Sequence, residues 1–150
     1  KKYDKAIEAF NNNLKTGKTN ANDYLGLGRS YYFSKDFSNA DSAFTKITQL
    51  HPQLPVGYLW RARANVQQDL KNEKWLAKPF YEQYINNTKP EEVEKNKKDL
   101  VEAYTYMGVY FINNKEVCTG KPYFIKIAEM DATNTNAKKF LESEEAKKCP

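Results

Sequence analysis

Histidine is almost missing from this chain of 150 residues, where His51 is the only one. With two cysteines and no paired carboxylates in an apolar setting, few routes remain to metal binding or acid–base chemistry, so the sequence reads as non-catalytic and without a cofactor. His51 directly precedes Pro52 and reads as a helix-end residue. Arginine is scarce as well. Arg29, Arg61 and Arg63 are the three arginines among 24 basic residues, so lysine carries most of the net charge of +5. Base readout and bidentate phosphate capture favour arginine, and scattered lysine beside fifteen asparagines describes a solvated surface rather than a nucleic-acid interface. No apolar run approaches the ~20 residues that a membrane-crossing helix needs. Disorder is excluded by what is abundant: 14% of the residues are aromatic, eleven Tyr, eight Phe and two Trp, far more ring area than a disordered polar segment carries. A chain of this length buries about 70% of its unfolded surface, enough to fold without a metal or a disulfide framework.

What is present is a repeat. Ala6 and Phe10 recur as Ala40 and Phe44, then as Ala77 and Tyr81, then as Gly120 and Phe124, always a small residue followed by an aromatic four positions later. A second signature precedes two of these pairs by a fixed interval: Tyr24, Leu27, Gly28 and Tyr31 before Ala40, and Tyr104, Met107, Gly108 and Phe111 before Gly120. The segments are amphipathic at helical spacing, with Ala40, Phe44, Ile47 and Leu50 forming one apolar stripe. Between the helices Ser34-Lys35-Asp36-Phe37 makes a short polar turn, with Asp36 or Ser38 as the cap of the second helix. Gly28 and Ala40 are small where the two helices cross, and Tyr31 and Phe44 fill the volume on either side. Pro52 then ends the second helix.

These residues resemble the tetratricopeptide repeat, whose pattern is W-x-x-L-G-x-x-Y, then A-x-x-x-F, then a helix-ending proline. The resemblance implies an all-α fold, a right-handed α-solenoid of stacked helix-turn-helix hairpins with a C-terminal capping helix. In this reading residues 1–150 form one domain: 1–20 hold the second helix of a preceding repeat, 21–54 a full repeat, 55–100 an atypical repeat, 101–134 another repeat and 135–150 the cap. The chain opens already inside an amphipathic pattern, which predicts further sequence upstream. The atypical unit has Arg61 and Ala62 where Leu and Gly are usual, an enlarged turn over Asp69-Leu70-Lys71-Asn72-Glu73, and a connection after Pro90 in which the next helix starts early and runs about two turns longer. Ala77-Lys78-Pro79-Phe80-Tyr81 echoes Gly120-Lys121-Pro122-Tyr123-Phe124; Pro122 fits a helix start, and Pro79 kinks its helix if that helix begins as early as Asn72.

Candidate functional residues follow from the stacking. A pile of hairpins exposes a face built from the first helix of each unit. Arg29 and Arg63 are equivalent by repeat position there, close to Tyr32, Trp60 and Tyr106. Arginine among aromatic rings suits an extended peptide, or an acidic ligand, through carboxylate contacts and flat apolar area. The competing reading is that the rings fill space between helices and the arginines are solvated. The function expected is a scaffold that binds a protein or peptide, with no nucleic acid; the alternative is an accessory module of an envelope uptake complex that takes a glycan or other small ligand on Trp60 and Tyr106. Some tetratricopeptide domains clamp a carboxylate-terminated chaperone tail, but the matching places here hold Leu25, Arg29, Trp60, Glu102 and Tyr106, of which Arg29 alone has the required charge.

Two other features bear on chemistry and compartment. Gly17-Lys18-Thr19 ends like a phosphate-binding loop, but the glycine required upstream is Asn12, so a turn between repeats is the simpler reading. Cys118 lies at the start of a second helix and Cys149 near the end of the next one, which places both sulfurs at the same end of the stack. They are either bonded, which implies an oxidising compartment, or two buried thiols. The Asn/Lys-rich repeats also resemble those of exported or envelope-associated bacterial proteins, which implies an extracytoplasmic setting.

Overall fold

Polar caps fix where the helices begin. After α1 (Lys2–Lys15), the Asn20 side chain accepts the backbone N–H groups of Asn22 and Asp23, and the Asp23 carboxylate accepts the Asn20 N–H at 3.0 Å. This reciprocal box starts α2 (Ala21–Phe33) by satisfying donors that have no partner inside the helix. Asp36 starts α3 (Phe37–Leu50) by accepting the Asn39 N–H at 3.2 Å. The turn between α2 and α3 is Ser34-Lys35-Asp36, with Lys35 in the left-handed region at φ 68°. The computed structural model describes residues 2–15, 17 and 20–150; Lys18 and Thr19 of the turn at Gly17 lie outside the described residues.

Among the described residues all the regular structure is helical, and no helix is long and apolar enough to cross a membrane. α4 (Pro55–Gln68) and α5 (Lys78–Asn87) follow, then a short 3-10 turn at Pro90–Glu92, α6 (Lys97–Asn113), α7 (Val117–Met130), α8 (Thr135–Leu141) and α9 (Glu144–Lys147). These helices form two compact units, one up to Asn87 and one from Thr88 onward. In the first, α1 to α5 each pack on the next, and α2 also touches α4. In the second, α6 packs on α7, and α7 carries α8 and α9.

The small-and-aromatic beat produces this packing directly. Ala40, Phe44 and Ile47 are wholly excluded from solvent, and the Phe44 ring lies so close to Gly28 that a Cβ there would collide with it. Phe124 stands against Gly108 in the same way. Absent side chains let the helices of each hairpin approach until one ring fills the space between them.

Four features depart from the pattern. Leu50, the last member of the α3 stripe, is 54% exposed, because the core ends at Ile47 and α3 stops one residue before its C-cap, His51. Residues 91–96 do not extend the following helix: the Pro90–Glu92 turn is 3-10 and α6 begins at Lys97, so its 17 residues outlast the 14 of α3, α4 and α7 by about one turn rather than two. That charged stretch offers Val93 alone to a core, so nothing drives it into a longer amphipathic helix. The two prolines exchange the roles their echo suggests. Pro79 sits in the first turn of α5, whereas Pro122 lies inside α7 and removes the amide that would bond to the Cys118 carbonyl. Finally, residues 135–149 form two short helices, not one. Ser143 caps α9 by accepting the Ala146 N–H at 3.2 Å, which ends α8 and starts a new direction.

The enlarged turn runs over residues 69–77 and is organised by one side chain. The Asp69 carboxylate accepts the backbone N–H groups of Glu73 at 2.9 Å, Lys74 at 3.0 Å and Leu76 at 3.3 Å. These bonds replace helical ones, which is why α5 cannot start at Asn72, and Asn72 and Trp75 both adopt φ 53° within the loop. Burial by itself would raise the Asp69 pKa, but the amides of Leu76, Lys74, Glu73 and Trp75 outweigh it and hold the carboxyl below its usual value of 3.8. A carboxyl with a lowered folded-state pKa contributes stability that is complete above its unfolded pKa and lost as pH falls through the folded one. Exchange of the Glu73, Lys74 and Leu76 amides is therefore expected to accelerate as pH drops below about 3.8, beyond the intrinsic exchange trend. An Asp69→Ala variant should show the fast rates already at neutral pH, and unchanged rates in that variant would contradict the role given to Asp69.

Candidate functional site

In the first unit the α2 and α4 helices bring one indole against two cations. The Arg29 guanidinium lies over the Trp60 ring at 5.1 Å from its centroid, and the Arg63 guanidinium at 5.2 Å. Sharing one ring, the two charges are at most about 10 Å apart. Trp60 itself is fixed from the core side, where it stacks on Phe44 at 5.6 Å and meets the edge of Tyr32 at 5.4 Å. Contacts of this kind contribute about 0.5–1 kcal/mol each at exposed sites, enough to orient a guanidinium. Arg29 is exposed, whereas Tyr32, Trp60 and Arg63 are half-buried. Tyr106 stands half-buried on α6 in the second unit.

The equivalence of Arg29 and Arg63 by repeat position becomes spatial because α2 touches α4. Trp60 fills space against Phe44 and also lies against both arginines. One further residue belongs to this cluster. Phe33 is 48% exposed, with its ring 6.0 Å from Tyr3, 5.6 Å from Tyr32 and 6.2 Å from Trp60. Its place one helical turn beyond Arg29 was the signal available in the sequence. Arg61 does something different from its neighbours. Its Nε pairs with Asp41 Oδ1 at 3.0 Å, and its guanidinium lies 4.1 Å over Phe80, so it ties α3, α4 and α5 together. That explains an arginine where the repeat usually has leucine.

A hairpin built on a glycine-aromatic crossing, repeated through the chain, has a counterpart among solved structures. The C-terminal part of a TPR repeat-containing protein from Cytophaga hutchinsonii superposes with a TM-score of 0.85 at 34% sequence identity, over 94% of this chain. These hairpins are tetratricopeptide repeats. The present chain spans 54% of that solved chain. No family model and no curated protein matches the sequence.

Tetratricopeptide hairpins are in general a protein-interaction scaffold. Chemistry elsewhere is sparse among the described residues, where no group of three or more His, Cys, Asp or Glu side chains is placed to hold a metal ion. His51 closes α3 as its C-cap through its backbone N–H to Ile47. Cys118, exposed near the start of α7, is joined by a disulfide to Cys149, with their Cα atoms 5.2 Å apart.

Proposed function

We propose that this chain is a non-catalytic scaffold whose tetratricopeptide hairpins bind a peptide or protein segment on the α2–α4 face, through Arg29, Tyr32, Trp60 and Arg63. The observation that carries the reading is the pair of guanidiniums held over one indole. Neighbouring rings supply flat apolar area, and the exposed Arg29, oriented on the indole, supplies a carboxylate-binding edge without the entropy cost of ordering a free arginine. The disulfide supports an extracytoplasmic setting, since such bonds persist in oxidising compartments.

A peptide array measured with the wild type and with the Arg29→Glu/Arg63→Glu variant tests the reading. Binding by the wild type and a loss of roughly ten-fold or more in the variant is expected, because each arginine becomes a like charge to an acidic ligand. Equal binding by both proteins removes the face from consideration. The glycan alternative is less well supported, because sugar stacking needs a free aromatic face and Trp60 is already engaged by Phe44, Arg29 and Arg63. Titration with oligosaccharides is expected to leave tryptophan fluorescence unchanged.

A further inference from the structure

Arg29 and Phe33 lie one turn apart on α2, and together they define more than a general affinity for peptides. Among the described residues Phe33 is the most exposed aromatic ring, yet it does not move freely. Tyr3 stacks on it with planes 23° apart, while Tyr32 and Trp60 meet it edge-on. Such a ring is a rigid platform whose ordering cost has been met in the folded state. Arg29 is likewise exposed but held, by Trp60, and no carboxylate among the described residues pairs with it. The two helices that hold the pair of arginines add little competing acid. α4 contains no acidic residue, and the single acid of α2, Asp23, is committed to the Asn20 N–H and to the Asn13 side chain at 2.8 Å.

We propose that the partner is an extended peptide that sets an acidic side chain against Arg29 and, two residues away, a bulky apolar side chain against Phe33 and Tyr3. The proposal rests on the peptide-binding reading above and adds a motif to it. Helix positions four apart carry side chains about 5–6 Å from each other. In an extended chain, residues two apart point to the same side and are separated by about 6.6–6.8 Å. An acidic-x-aromatic sequence therefore matches the spacing of Arg29 and Phe33, whereas adjacent residues would point to opposite sides.

The test uses the chain as it stands and four immobilised Gly/Ser-based decapeptides: one with Glu-x-Phe, one with Lys-x-Phe, one with Glu alone and one with Phe alone. The wild type should bind Glu-x-Phe roughly ten-fold more tightly than any other peptide, and raising the salt should reduce that advantage. Arg29→Glu should reverse the preference in favour of Lys-x-Phe. Phe33→Ala should make Glu-x-Phe and Glu alone equivalent. Both replaced side chains are exposed, and a circular dichroism spectrum unchanged from the wild type establishes that the variants fold. Binding of Glu-x-Phe and Lys-x-Phe with equal affinity overturns the motif but leaves the peptide-binding reading standing. An Arg29→Glu variant whose preference stays with Glu-x-Phe also overturns it. Failure to bind any of the four peptides at millimolar concentration overturns both.

Discussion

Phe44→Ala is expected to cost the first unit about 3–5 kcal/mol, the range found when a fully buried phenylalanine is truncated. Ordinary domains are stable by about 5–15 kcal/mol in total, so this one change consumes much of the margin. Phe44 occupies the space that Gly28 leaves open, and its ring supports Trp60 from below. Removing it opens a cavity at the crossing of α2 and α3 and withdraws the surface that orients the indole, so binding through Arg29 should weaken as well. A double-mutant cycle makes the cause specific. Gly28→Ala by itself should destabilise by about 1–3 kcal/mol, because its new methyl meets the ring. In the Phe44→Ala background the same methyl enters the cavity and should be close to neutral. Urea denaturation of the four proteins measures the coupling, and additive effects would show that the glycine and the ring do not share one space.

Removing the disulfide is expected to have an effect of similar size on the second unit. Cys118 and Cys149 are 31 residues apart in sequence, and closing a loop of that length stabilises by about 3–4 kcal/mol in the chain-entropy view. The bond secures a segment with few other anchors. α9 is four residues long, and besides the bond its hold on α7 comes from the fully buried Ala146 and from the Lys121 ammonium, which donates to the Cys149 carbonyl at 2.8 Å. Cys118→Ser/Cys149→Ser should lower the denaturation midpoint of the second unit and speed hydrogen exchange at Ala146 and Cys149. A reducing agent should do the same to the wild type and nothing further to the variant. Identical midpoints with and without reductant would refute the stabilising role.

How far the sequence could be read differs from element to element. The α2–α3 hairpin was legible in its Gly28–Phe44 crossing and, up to the choice between Asp36 and Ser38, in its cap, because size alternation and polar caps act over a few residues and leave a local trace. Pro79 and Pro122 show where that trace misleads. Their surroundings match relative to the core aromatic, but a helix start is set by the turn upstream of it. The turn before α7 takes three residues, so α7 begins at Val117 and swallows Pro122, whereas the Asp69 loop consumes residues that would otherwise have been helix and leaves Pro79 in the first turn. The terminal segment departs from a single helix for a similar reason, since the competition between continuing α8 and capping at Ser143 is decided by how Ala146 and Cys149 dock on α7.

The sequence by itself determined the class of fold and the beat of its repeat, because small residues opposite rings at a fixed interval admit one kind of helix pairing. It also placed Arg29 and Arg63 at equivalent positions. Only the tertiary structure decided what those positions mean. Whether an arginine is solvated, paired with a carboxylate like Arg61, or laid across an indole like Arg29 depends on the rotation and approach of neighbouring helices. Those are set by the sum of many packed side chains, which no single residue records.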